Sequence, residues 1–202
     1  MKCSIGSVLA AAVVAAALLA PYDAALAARA YVGTYTPDQP GARSENHGEG
    51  IYLVDINERT GTLSQPRLVA RTLSPSWIAL SRDGKFLYAI NEISNFGSDK
   101  TGSVTAFAVE AGGALKKLNT VGSGGAGPAY ISVHPSGKFV MVANYGGGDF
   151  AVIRIKPDGS LGAISDVVKP QGPLNPATAS DNPPGQLAPS SHAGSRGHMI
   201  GP

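Results

Sequence analysis

Three side chains able to stack on a ring or move a proton fall at matched places in this chain: Trp77, Tyr130 and His198. An indole and a phenol offer flat apolar faces with one polar handle each, and an imidazole exchanges a proton near neutral pH. Grouped around one opening, they would hold a cyclic ligand and act as a general base upon it. The bland alternative is that the two aromatics fill packing between neighbouring elements and that His198, close to Pro202, does nothing. Asn91-Glu92 and Asn144-Tyr145 form a second matched set. Glu92 is the carboxylate of the set, suited to accept a proton or orient a hydroxyl. Asn144 and Tyr145 are candidate substrate contacts, although an Asn that bonds its own turn explains the same pattern.

Other residues point away from chemistry. Gly146-Gly147-Gly148 lacks the Lys-Ser/Thr of a phosphate-binding loop and precedes a strand-like run, so it reads as a tight turn. His134 occupies a turn before Pro135, and His47 and His192 sit in loop-like stretches. No His/Asp pair has ligand spacing and the one cysteine, Cys3, is N-terminal, so no metal and no cofactor are expected. No Gly-x-Ser-x-Gly elbow is present, which disfavours a serine hydrolase.

The matched positions come from a long repeat. Pro75, Ile78, Gly84, Lys85, Phe86 and Asn91 return as Pro128, Ile131, Gly137, Lys138, Phe139 and Asn144, a constant offset of 53 residues. A second register, Gly50/Gly61/Leu63, recurs as Gly102/Gly113/Leu115 and Gly148/Gly159/Leu161. Periods of this length built from short strands mark a β-propeller with one four-stranded sheet per repeat. The β-branched and aromatic runs predict strands at Tyr31–Thr36, Ile51–Ile56, Arg67–Thr72, Trp77–Leu80, Phe86–Asn91, Val104–Val109, Lys117–Val121, Tyr130–Val133, Phe139–Asn144, Phe150–Ile155 and Ile164–Val168. The expected class is all-β, with antiparallel four-stranded blades and an incomplete ring of about three blades out of seven. Residues 31–169 supply the blades, the first with only three strands; 170–202 is a Pro/Gly/Ser-rich loop ending in the start of a fourth blade. Trp77, Tyr130 and His198 then open successive innermost strands and face the central channel.

The first 27 residues read as an export signal. Ser7–Ala20 is an uncharged run of 14 residues, short of the roughly 20 needed to span a bilayer, and Ala25-Leu26-Ala27 has the small-x-small form of a cleavage site. Cleavage is expected after Ala27, with Ala30 as the alternative, giving a periplasmic or secreted protein without disulfides or a membrane anchor. A net charge of +2 argues against nucleic acid as a partner. Oligomeric state is left open by the sequence.

Tyr31-Val32-Gly33-Thr34-Tyr35-Thr36, Gly50-Ile51-Tyr52, Leu87-Tyr88-Ala89-Ile90-Asn91-Glu92 and Val142-Ala143-Asn144-Tyr145-Gly146-Gly147-Gly148 together resemble the seven-bladed lactonase family of propeller-type 6-phosphogluconolactonases. The resemblance runs over 31–169 and resumes at 197–200. It implies hydrolysis of a sugar-type lactone and a small-molecule lactone or sugar derivative as partner. It also implies that His198 is catalytic, in a His-x-His-like segment whose first position here is Arg196. The family's further Arg and Glu residues would fall beyond Pro202, so the 202-residue chain alone is expected to be inactive. A non-catalytic exported propeller that binds a partner across its face is the alternative.

Overall fold

A computed structural model describes residues 28–37, 47–171 and 195–202. The expected export signal and most of the Pro-rich stretch, 172–194, lie outside the described residues. Eleven strands form three antiparallel sheets in chain order. The first contains β1 (Ala28–Gly33), β2 (Gly50–Ile56) and β3 (Arg67–Arg71). The second runs β4 (Ile78–Leu80), β5 (Phe86–Phe96), β6 (Thr101–Val109) and β7 (Leu115–Gly122). The third runs β8 (Pro128–Val133), β9 (Phe139–Asn144), β10 (Asp149–Ile155) and β11 (Leu161–Val168). Each expected strand is present, and the three sheets do not close a ring.

The edges shift where pairing outweighs residue propensity. β1 starts at Ala28 rather than Tyr31, because Ala28 pairs with Ile56 and Arg29 with Asp55, an alignment reinforced by an Arg29–Asp55 ion pair of 3.3 Å. It ends at Gly33, three residues before the expected Thr36. β5 continues past Asn91 to Phe96, across an irregular step in its pairing with β6. Residues 195–202 form no ladder of their own, but the Ile200 carbonyl accepts a hydrogen bond of 2.8 Å from Ser132 Oγ on β8.

The turn glycines behave as the repeat predicts. Gly84 and Gly137 adopt φ of 68° and 67°, a left-handed conformation that costs glycine nothing, and their amides bond the carbonyls of Ser81 and His134.

The middle sheet explains why its strands read as continuous apolar runs. Leu87, Ala89 and Phe107 face the first sheet and pack with Ile51, whereas Tyr88, Ile90, Val104 and Ala106 face the third and pack with Ile131, Val140, Val142, Ile153 and Leu161. Alternation of period two thus feeds two cores from one sheet. A tyrosine clasp recurs at both junctions. Tyr31 Oη donates to the Gly113 carbonyl (2.9 Å), and Tyr88 Oη donates to the Gly159 carbonyl (3.1 Å). Both acceptors are the second glycine of their register, with φ of 85° and 82°. At the second junction Asn119 adds two bonds, donating to the Leu161 carbonyl (2.8 Å) and accepting from the Leu161 amide (2.9 Å).

Candidate functional site

Antiparallel pairing of β4 with β5 and of β8 with β9 brings the start of one strand beside the end of the next, so the two matched residue sets meet along one edge of the sheets. Trp77 precedes β4, and its carbonyl still accepts from the Ile90 amide (3.1 Å), which fixes its backbone. The residue is 46% exposed, and its ring centroid lies 4.7 Å from that of Tyr130, with the planes tilted by 47°. The repeat therefore puts its two aromatics in contact across the junction, with a face of indole still open to a ligand.

Tyr145 follows β9 and is held by the tight turn at Gly146–Gly148, whose Gly148 amide bonds the Asn144 carbonyl (2.8 Å). His198 meets the Tyr145 ring edge-on, with centroids 5.5 Å apart and planes at 80°. Arg196 lies over the same ring at 5.4 Å, and its Nη1 donates to the Gly146 carbonyl (3.2 Å) and the Tyr145 carbonyl (3.4 Å). One phenol thus carries a guanidinium and an imidazole, both exposed. Arg196, expected only as a departure from a family pattern, sets a guanidinium on the same ring as His198.

Glu92 sits at the other end of this edge. Its Oε2 accepts from Tyr35 Oη (2.8 Å) and Ser76 Oγ (2.5 Å), while Oε1 has no hydrogen-bond partner among the described residues. Burial, then the bond and charge of Glu92, push the Tyr35 hydroxyl up to about 12, so it remains a donor throughout the physiological range. The platform beneath is Ser74. Its carbonyl accepts from the amides of Ser76 (2.8 Å) and Glu92 (3.0 Å), and it exchanges hydrogen bonds with Thr36, each 3.2 Å. Ser74 is buried and adopts φ of 35°, a conformation uncommon for any residue but glycine. Sequence reasoning singled out none of Tyr35, Ser74 or Ser76. The signal available to it was the hydroxyl-rich pair Thr34-Tyr35-Thr36 and Ser74-Pro75-Ser76.

Asn144 is a correction. Of its two readings, substrate contact or turn brace, the structure takes the second: its side chain is fully buried, and its Nδ2 donates to the Ser123 carbonyl (3.1 Å) and Asp149 Oδ1 (2.8 Å). It braces the turn that presents Tyr145 and cannot touch a ligand directly. Asn91 is equally buried and braced, with its Oδ1 accepting from Ser103 and Thr105. The loop between β7 and β8 ties the two ends of the edge together: the Gly127 amide bonds the Ile93 carbonyl (3.0 Å) and the Gly146 amide bonds the Gly127 carbonyl (3.3 Å). His134 lies apart in its exposed hairpin, bonded to Ser136. Among the described residues no three His, Cys, Asp or Glu side chains group as metal ligands.

Known proteins resemble this chain in sequence and in fold. The family model described as a seven-bladed β-propeller lactonase matches residues 29–199. The chain is 33% identical over 132 residues to the 6-phosphogluconolactonase of Bacillus subtilis, a stretch covering 65% of this chain and 34% of that protein. Among solved structures, a candidate 6-phosphogluconolactonase from Bacteroides fragilis superposes with a TM-score of 0.61 at 36% identity, over 75% of this chain and 38% of the other. The periplasmic gluconolactonase of Pseudomonas aeruginosa does so with a TM-score of 0.58 at 29% identity, over 68% and 37%. The chain spans about a third of the length of the curated relatives it matches. With blades and sequence in agreement, the chain belongs to the seven-bladed β-propeller lactonase family.

Proposed function

We propose that this edge is one wall of a site that hydrolyses a sugar-type lactone, with His198 as general base and Trp77, Tyr130, Glu92 and Tyr145 as substrate contacts. The observation that carries the reading is the placement of His198 and Arg196 on the single ring of Tyr145. Lactone opening needs a base for water and a positive group for the oxygen that gains charge. His198 takes a proton from water as its oxygen bonds the carbonyl carbon, and Arg196 faces the resulting oxyanion. Collapse of the adduct breaks the ring C–O bond, and the alkoxide leaves as a hydroxyl after receiving the proton from His198. Stacking on Trp77 and Tyr130 would hold the ring during attack.

Titration of acid release from a gluconolactone, corrected for spontaneous hydrolysis, tests this. The 202-residue chain alone is expected to stay at background, and a fusion continuing into the later blades of the Pseudomonas relative is expected to turn over. In that fusion His198→Ala should lower the rate by roughly 100-fold or more, the scale of losing one base or oxyanion donor, whereas His134→Ala should leave it unchanged. Equal effects of the two substitutions would remove His198 from the chemistry.

The protein is also proposed to be exported and cut after Ala27. Cutting there leaves β1 whole from Ala28, while cutting after Ala30 would delete the Ala28, Arg29 and Ala30 pairings. Among the described residues no helix is long and apolar enough to cross a membrane.

A further inference from the structure

The end of the site around Glu92 has the features of a prepared acceptor. Two hydroxyls, Tyr35 and Ser76, converge on one carboxylate oxygen and leave the other without a partner among the described residues. The strained, buried Ser74 holds the backbones of Ser76 and Glu92 by its carbonyl and the Tyr35 segment by its exchange with Thr36. Backbone strain of this kind persists where the surroundings over-determine it, and here four separate hydrogen bonds do so. Ser76, which donates to Glu92, precedes Trp77 directly in the chain, and Trp77 is exposed at the same edge of the sheets.

An edge that bears both an acceptor carboxylate and an exposed aromatic suits a ligand that donates hydrogen bonds and has an apolar ring face, as a neutral polyhydroxylated ring does. It repels an anion. The charge at the opposite end is a guanidinium, Arg196, beside His198. Building on the lactonase reading, we infer that Glu92, positioned by Tyr35, Ser76 and Ser74, is a specificity determinant. It receives the hydroxyl-bearing end of an unphosphorylated sugar lactone and directs the acyl end toward Arg196 and His198. A phosphate on the hydroxyl end would be placed against the carboxylate and rejected. Glu92, with Tyr35 and Ser76, is then what separates a neutral aldonolactone from its phosphorylated counterpart.

Trp77 is the only tryptophan in the chain, so its emission reports on this subsite without labelling. The 202-residue chain is titrated with D-glucono-1,5-lactam, a lactone analogue that does not hydrolyse in water, and with the same lactam carrying a 6-phosphate. A saturable change in Trp77 emission is expected with the neutral lactam, and binding about tenfold weaker with the phosphate, the scale of one like-charge contact near a surface. Glu92→Gln keeps the shape and should bring the two affinities together. Tyr35→Phe should weaken the neutral lactam severalfold while preserving the preference. The inference is overturned by equal or tighter binding of the phosphate, by an unchanged ratio in Glu92→Gln, or by no saturable response in the wild type. Lactam binding without lactone turnover in the fusion would defeat the lactonase reading alone. Turnover without a Trp77 response would defeat the subsite alone.

Discussion

The tyrosine clasp at the second blade junction yields a stability difference whose size changes with pH. Tyr88 is fully buried, and its hydroxyl donates to the Gly159 carbonyl at 3.1 Å. Tyr88→Phe keeps the ring packing but deletes the donor, leaving that carbonyl unpaired, for a loss of about 1–2 kcal/mol below pH 9. Burial, aided by the charges of Asp83 and Asp158, pushes the Tyr88 hydroxyl up from 10.0 to about 12. The folded protein therefore holds this proton after the unfolded chain has released it. Wherever the unfolded state binds fewer protons, stability falls as pH rises. The Tyr88 contribution is complete below pH 10 and is lost between pH 10 and 12, at about 1.4 kcal/mol per pH unit. Phenylalanine has no such term, and the remaining tyrosines titrate alike in both proteins. Urea melts of the wild type and Tyr88→Phe, run in parallel from pH 8 to 11, should show the deficit of the variant shrinking towards zero near pH 11. A gap that stays constant, or widens, over pH 10–11 refutes both the buried donor and its raised pKa.

Further outcomes follow from other elements. Gly84→Ala and Gly137→Ala should each cost about 1–2 kcal/mol in the same melts, because both sit at positive φ with open space around a new Cβ, so that only the backbone term acts. Gly102→Ala should cost more, since its Cβ would collide with the Pro128 ring at the opening of the next blade. Asn119→Ala should lose about 2–3 kcal/mol by breaking both bonds to Leu161 and stranding their partners. Sequencing the N-terminus of periplasmic material should read from Ala28; recovery of Met1 in a soluble cytoplasmic product would end the export proposal.

Much of the fold was legible because its signals are local. The hairpin glycines 84 and 137 need positive φ wherever the chain reverses, and β-branched runs of even spacing mark the strands between them. The offset of 53 residues sets Trp77 and Tyr130 at matched positions, and their rings meet. What escaped depends on approach between distant segments. Tyr35 reaches Glu92 across 57 residues, and Thr36 reaches Ser74 across 38, through a serine backbone conformation that its residue type does not announce. Asn144 was misplaced for a related reason. Its burial follows from contact with Ser123 and Asp149, partners that residue type alone does not indicate.

The clasps at Tyr31–Gly113 and Tyr88–Gly159 join one blade to the next, with the donor on one side and the acceptor on the other. The middle blade carries both halves, the accepting glycine at 113 and the donating tyrosine at 88. Copying that whole four-stranded unit in tandem would therefore join donor to acceptor at the new boundary without any compensating change. A copy that began or ended inside a blade would leave one partner behind. In lineages that inherit this clasp, gene duplication can lengthen the array by complete blades while the junction chemistry stays constant, and rim positions such as Glu92 and Tyr145 are free to diverge from copy to copy.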